Sequence, residues 1–215
     1  MKPYQDVIRK IIDINPSILD APDRHGRSPL HSLLDGIRGY KAILEVDAIC
    51  ELVEILKTAQ NVDAVDHDGQ TALHILLTIL PLFNKKSHNT FCRLVRLLKS
   101  EKNVNIQNSD GETVLHLLAR TIFLFPNTKG QLIEAITILL TNTNVHALDS
   151  DGVAPYCWIL CAKSDCQEKR EKSLLAKIDV LFTKHITNTD LAQQHKGIEF
   201  IRWVKLANKM ISKIM

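Results

Sequence analysis

The sequence predicts an all-α fold, a solenoid of repeated turn–helix–connector–helix units. Three observations carry that expectation. A turn-like segment recurs four times, with glycines at 26, 69, 111 and 152, so the copies lie 43, 42 and 41 residues apart. Each copy is followed by two stretches with the apolar spacing of a helix face. Aromatic residues make up only 5% of a 215-residue chain that is 45% hydrophobic, a mix that suits packed helices better than a β-sandwich.

The recurring segments are Asp23-Arg24-His25-Gly26-Arg27-Ser28-Pro29-Leu30-His31, Asp66-His67-Asp68-Gly69-Gln70-Thr71-Ala72-Leu73-His74, Asn108-Ser109-Asp110-Gly111-Glu112-Thr113-Val114-Leu115-His116 and Asp149-Ser150-Asp151-Gly152-Val153-Ala154-Pro155-Tyr156-Cys157. The match extends upstream at fixed offsets, through Leu19, Val62, Val104 and Val145, and through Ala21, Ala64, Ile106 and Ala147. Asp or Asn three residues before a glycine is turn chemistry: the side chain bonds local backbone, and glycine accepts positive φ. Ser28, Thr71 and Thr113 then occupy the N-cap of a first helix, where a hydroxyl accepts from the amide of His31, His74 or His116. Pro29 and Pro155 fall at the first helical position, where the missing N–H costs nothing.

A second helix follows in each unit: Ile49, Leu52, Val53 and Leu56; Phe91, Leu94, Val95 and Leu98; Leu132, Ala135, Ile136 and Leu139; and, more loosely, Leu174, Ile178 and Leu181. Ile79, Leu80, Leu82 and Phe83, like Ile122, Phe123, Leu124 and Phe125, prolong the first helices. Elongated hairpins are therefore expected, with tips near 35–41, 84–89, 126–130 and 163–172. Val7, Ile8, Ile11 and Ile12 read as a lone helix sealing the N-terminal end. Ile198, Ile201, Trp203, Val204 and Leu206 read as a closing helix. Trp158 and Trp203 are expected to be core anchors.

The motifs Gly-x-Thr-x-Leu-His (Gly69 to His74, Gly111 to His116) and Gly-x-Ser-Pro-Leu-His (Gly26 to His31), with the lead-ins Asn61-Val62, Asn103-Val104 and Asn144-Val145, resemble the ankyrin repeat over nearly the whole chain. The resemblance implies one domain over 1–215: a cap at 1–22, repeats at 23–65, 66–107, 108–148 and 149–187, and a C-terminal cap at 188–215. Two departures stand out. The period exceeds the family's, about 33 residues. The fourth copy also has Ala154 and Cys157 where the family has Thr and His, so a frayed or repacked helix start is expected there.

The resemblance also implies β-turn or hairpin fingers whose tips, with the exposed side of the first helices, form a concave protein-binding face. The tip residues are Arg24, His25, Arg27, His67, Asp68, Gln70, Ser109, Asp110, Glu112, Ser150 and Asp151. They grade from basic to acidic along the chain. In the family the repeated His fastens neighbouring turns, so His31, His74 and His116 are expected to be structural.

Other chemistry is poorly represented. The net charge is +3, with residues 163–215 holding 11 Lys/Arg against 6 Asp/Glu; that is far from a nucleic-acid tail. The start, Met1-Lys2-Pro3-Tyr4-Gln5-Asp6, lacks the apolar run of a secretory signal, and Thr71 to Asn84 is too short to cross a bilayer. Cys50, Cys92, Cys157, Cys161 and Cys166 have no disulfide-framework spacing and read as reduced thiols. Cys157, Cys161, Cys166 and His185 do not make a persuasive closed zinc site. Neither Gly36-Ile37-Arg38-Gly39 nor Asn127-Thr128-Lys129-Gly130 follows a strand or opens a phosphate loop. Asp66-His67-Asp68-Gly69 lacks the later Glu of a calcium loop.

The expectation is a non-enzymatic, cytoplasmic module without cofactor or metal, monomeric by itself, that binds another protein. It expects no small-molecule substrate, and no nucleic acid or membrane as its main partner. The alternative places binding on a basic ridge at the helical tips, Arg38, Lys41, Lys85, Lys86, Lys129, Lys169, Arg170 and Lys172, facing an acidic protein, phosphoinositide or nucleic acid. Ankyrin arrays include effectors that intracellular bacteria inject into host cells. The Lys, Ile and Asn usage suits that source, with action in the host cytosol or nucleus.

Overall fold

The structure is a computed structural model, which describes residues 3–39, 46–80, 88–124, 129–165, 169–186 and 197–199. The α-helices are α1 (Pro3–Ile14), α2 (Pro29–Gly39), α3 (Val46–Leu56), α4 (Ala72–Thr78), α5 (His88–Leu98), α6 (Val114–Leu124), α7 (Lys129–Leu139), α8 (Pro155–Asp165) and α9 (Lys169–Thr183). No strand occurs among the described residues. The expected hairpin fingers are therefore turns without a ladder.

The chain forms two compact units, Met1–Ser109 and Asp110–Met215. In the first, α2 pairs with α3 and α4 with α5, and the two hairpins stack, α2 on α4 and α3 on α5. In the second, α6 pairs with α7 and α8 with α9, with α6 on α8 and α7 on α9. Phe91, Leu94, Val95 and Leu98 are buried, as are Leu132, Ala135, Ile136 and Leu139. On α9 the register differs from the expectation. Leu175, Ile178 and Phe182 are the buried set, and Leu174 and Leu181 are only partly covered. Phe182 is turned inward by stacking on Tyr156, with ring centroids 5.4 Å apart.

The helix ends differ from the expected bounds. α4 stops at Thr78, so Ile79 and Leu80 do not prolong it as the sequence pattern suggested. Asp35 to Gly39 belong to α2, His88 and Asn89 to α5, Lys129 and Gly130 to α7, and Lys163 to Asp165 to α8. The segments 40–45, 81–87, 125–128 and 166–168 lie outside the described residues, and with them Pro81, Leu82, Phe83 and Phe125. The N-terminal helix also differs. Ile8 and Ile12 are half-buried, but Val7 and Ile11 face solvent, so they seal nothing.

The connectors after α3, α5 and α7 are each organised by one buried amide. Asn103 is 0% exposed. Its Oδ1 accepts from the Ser100 amide (3.0 Å), and its Nδ2 donates to Leu98 O (2.7 Å), at the end of α5, and to Val62 O (2.9 Å), in the preceding connector. Asn61 repeats this arrangement with the Thr58 amide, Leu56 O and Leu19 O. Asn144 takes the Thr141 amide and gives to Leu139 O. Each Asn thus terminates its own helix, and Asn61 and Asn103 also tie it to the connector before. Such groups are costly to bury unless bonded.

The turns stack through glycine. Gly26, Gly69, Gly111 and Gly152 all have positive φ, between 69° and 76°. A Cβ on Gly69 would meet the Asn108 backbone at 3.1 Å, and one on Gly111 would meet the Ser150 amide at 2.8 Å. At Gly152 nothing lies within 4 Å. Gly111 is therefore constrained twice, Gly152 once.

Two stability predictions follow from these constraints. Gly152→Ala should cost about 1–2 kcal/mol, the strain of a left-handed alanine, and Gly111→Ala clearly more, by urea denaturation; equal costs would contradict close turn stacking. Asn103→Ala should cost at least about 2 kcal/mol by leaving two buried backbone carbonyls, Leu98 O and Val62 O, and the half-buried Ser100 amide unbonded, and a loss within about 0.5 kcal/mol, as at an ordinary surface site, would contradict the tie.

Candidate binding surface

Three of the four turns are closed from within by their leading carboxylate. Asp23 Oδ1 accepts from the amides of His25 (2.7 Å) and Arg27 (2.9 Å). Asp66 Oδ1 does the same for Asp68 and Gln70, and Asp149 Oδ1 for Asp151 and Val153. The Arg27 amide bond holds the Asp23 carboxyl below its ordinary pKa, whereas burial pushes that of Asp149 up. Neighbouring turns join by one main-chain bond. His67 N donates to His25 O (3.0 Å) and Ser109 N to Asp68 O (2.9 Å) in the first unit, and Ser150 N to Asp110 O (2.9 Å) in the second. These bonds hold the turn backbone in place, and the outward side chains stay exposed.

Those side chains are Arg24, His25, His67, Asp68 and Ser109 in the first unit, and Asp110, Ser150 and Asp151 in the second, all exposed. Arg24 Nε donates to His25 Nε2 (3.1 Å), so the two extend as one basic tip. Three expected tip residues are placed differently. Gln70 is half-buried. Arg27 is half-buried and spent inside the fold, with Nη1 2.9 Å from Asp35 Oδ2 and Nε 3.7 Å from Asp66 Oδ2. Glu112 is 5% exposed and paired with Arg120.

The first helices add little exposed surface. Ala72 to Leu77 of α4 are all buried, as are Val114 to Ala119 of α6. Of the basic ridge, Lys41, Lys85 and Lys86 lie outside the described residues, as do the side chains of Arg38, Lys129, Lys169 and Arg170; Lys172 is exposed on α9. Sequence reasoning did not single out Val65, 45% exposed just before the second turn; no periodicity distinguishes it from the core valines.

The repeated histidines are fully buried and fully engaged. In α2, the Ser28 amide (3.3 Å) and hydroxyl (2.8 Å) both meet His31 Nδ1, while Nε2 lies 3.1 Å from Gln70 O of the next turn. A carbonyl can only accept, so Nε2 carries the proton and Nδ1 is the acceptor. The ring thus fills the place that Glu takes in a capping box. His74 meets Thr71 in the same way, and His116 meets Thr113 while reaching Val153 O at 3.0 Å. Of the expected hydroxyl caps, Thr71 receives the His74 amide, at a long 3.4 Å.

In the fourth copy, Cys157 takes the place of the histidine. Its thiol is buried and pushed up to about 11 by that burial. The helix start is repacked rather than frayed: α8 begins at Pro155, and Gly197 is so close that a Cβ there would lie 2.7 Å from Cys157 Sγ. Cys50, Cys92 and Cys161 are likewise buried free thiols, and Cys166 lies outside the described residues. His185 faces Asn142 Oδ1. Trp158 is 8% exposed, against Phe123 with ring centroids 5.5 Å apart; Trp203 lies outside the described residues. Among the described residues no three His, Cys, Asp or Glu side chains converge as metal ligands, and no helix is long and apolar enough to cross a membrane.

No protein-family model matches the chain, and no curated protein matches it. The class that the described structure defines is a set of stacked α-helical hairpins with stacked turns.

The histidine geometry yields a pH dependence. Burial lowers the His31 pKa from its ordinary 6.5, so the unfolded chain binds its proton more tightly. Stability should be complete above about pH 6.5 and fall as pH drops towards the folded value. Urea midpoints measured across that range should decline in the parent chain and decline less in His31→Gln; an equal decline would show that His31 is not held neutral.

Proposed function

We propose that this chain is a non-catalytic ankyrin-type module that binds another protein through its turn tips. One observation carries the reading: the turns are braced by internal hydrogen bonds and by a main-chain bond to each neighbour, yet the outermost side chains are exposed polar and charged groups. The frame therefore holds Arg24, His25, His67 and Asp68 in one unit, and Asp110, Ser150 and Asp151 in the other, on backbone that is already ordered. Binding through pre-ordered groups avoids much of the entropy that flexible loops lose on association. The first turn is basic and the later tips carry Asp68, Asp110 and Asp151, so a partner of mixed charge is steered by complementary signs.

The recurring Gly-x-Ser/Thr-x-Leu-His motif supports the family reading, because its glycine, cap and histidine each have a defined structural task here. Buried first helices shift the binding role towards the turns, away from the helix flanks. The test is capture of a partner from cell lysate, repeated with altered tips. Arg24→Glu, and separately Asp68→Lys with Asp110→Lys, should each weaken capture about tenfold or more, a loss typical of a significant interface residue, without changing thermal stability. Arg27 and Glu112 are unsuitable probes, since reversing either charge disrupts an internal ion pair. Undiminished capture by both variants would move the binding site off the turns.

A further inference from the structure

We propose that Asp151-Gly152, at the tip of the fourth turn, is a site of spontaneous backbone modification, where Asp151 converts to isoaspartate ahead of every other Asp-Gly pair in the chain. The pairs are Asp35-Gly36, Asp68-Gly69, Asp110-Gly111 and Asp151-Gly152. The chemistry needs no enzyme and no cofactor. The Gly152 amide nitrogen attacks Cγ of the Asp151 carboxyl group. A new N–Cγ bond closes a cyclic imide, and the carboxyl hydroxyl leaves as water with the amide proton. Water then adds back. Opening the N–Cγ bond regenerates aspartate. Opening the bond from that nitrogen to the Asp151 main-chain carbonyl carbon gives isoaspartate, whose chain runs through Cβ. One water leaves and one returns, so mass and oxidation state are unchanged. Glycine in the following position favours the attack, because no Cβ crowds its nitrogen.

The fold ranks the four pairs. Attack requires the Asp–Gly peptide to rotate, so that the glycine nitrogen leaves its turn bond and swings over the aspartate side chain. That turn bond does not separate the sites: Gly69 N donates to Asp66 O at 3.0 Å and Gly152 N to Asp149 O at 2.9 Å. The carbonyl of the rotating peptide does. Asp68 O accepts from Ser109 N and Asp110 O from Ser150 N, both at 2.9 Å, and Ser109 Oγ also donates to Asp68 O. No main-chain amide of the described residues reaches Asp151 O. The glycines follow the same order. Gly69 and Gly111 are half-buried against the next turn, with Cβ positions 3.1 Å from the Asn108 backbone and 2.8 Å from the Ser150 amide. Gly152 is exposed, and among the described residues nothing lies within 4 Å of its Cβ position. The fourth turn can therefore open locally while the stack stays folded. Asp35-Gly36 is restrained differently. It lies within α2, where amides point along the helix to carbonyls four residues back, and Arg27 Nη1 sits 2.9 Å from Asp35 Oδ2. Isoaspartate at 151 adds one backbone atom and moves the carboxylate onto Cα. It thus reshapes one exposed tip without loosening the turns beneath it.

The test is to hold the full chain at neutral pH and body temperature for weeks and to map isoaspartate by peptide mass spectrometry with electron-transfer fragmentation. Methyl transfer from S-adenosylmethionine by an isoaspartate-specific carboxyl methyltransferase gives an independent total. Isoaspartate should form at Asp151 about fivefold or more faster than at Asp35, Asp68 or Asp110, the ratio expected where one further main-chain bond must open first. In urea the four rates should converge, because the order comes from the fold. Ser150→Pro removes the N–H that anchors Asp110 O, and proline suits the second position of such a turn. It should raise the Asp110 rate about fivefold, the worth of that one bond, and leave Asp68 unchanged. Equal rates at Asp68, Asp110 and Asp151 in the folded chain overturn the proposal. So does an order that persists in urea, or an Asp110 rate indifferent to Ser150→Pro.

Discussion

Within each unit, hairpins bury polar groups that a neighbouring hairpin or connector satisfies. The His31 ring needs Gln70 O, and the Asn61 and Asn103 amides need Leu19 O and Val62 O. In the second unit His116 needs Val153 O. A buried group left unbonded costs more than a formed bond gains, so these ties set register as well as stability. A hairpin shifted along its neighbour would strand all of them at once. Apolar contacts between α2 and α4, or between α6 and α8, provide most of the adhesion but are less selective about position. The buried histidines and asparagines supply the selectivity, and the glycines allow the turns to come close enough for it to operate.

The turns combine a recurring frame with side chains that vary. The backbone bonds between and within turns recur, while the exposed turn side chains differ from one copy to the next. Position two before each glycine, for instance, is Arg24, His67, Ser109 or Ser150, while the backbone bonds around it recur. Buried, bonded residues and exposed, variable ones thus alternate within a single turn. Asp66 is buried and closes the loop; Asp68, two residues later, points to water. Arg27 and Glu112 show the limit of that division, since their charges serve the frame.

Much of the frame was legible in the sequence because its constraints are local. Asp–x–x–Gly, the cap hydroxyl and the first-turn proline act within a few residues, and the period repeats them. What the sequence concealed depends on distant chain. Val7 and Ile11 carry the same spacing as Ile8 and Ile12, and only the position of α3 decides which pair is covered. On α9, Phe182 replaces Leu181 in the core because Tyr156 lies against it. Glu112 occupies a tip position in the pattern, but Arg120, two helical turns on, draws it in. Cys157 departs from the histidine pattern where Gly197 presses on its sulfur, a contact between residues far apart in sequence. α2 and α7 reach into the expected tips because neither Gly36 nor Gly130 stops a helix whose apolar face is being buried, whereas α4 stops at Thr78, short of the expected extension.

Native-state hydrogen exchange tests the stacking most directly. His67, Ser109 and Ser150 have exposed side chains at turn tips, yet their amides donate to His25 O, Asp68 O and Asp110 O. The account predicts that these three amides exchange slowly, with protection comparable to that of the adjoining helices. Exchange at the rate of an open surface loop, while the helical amides stay protected, would contradict it.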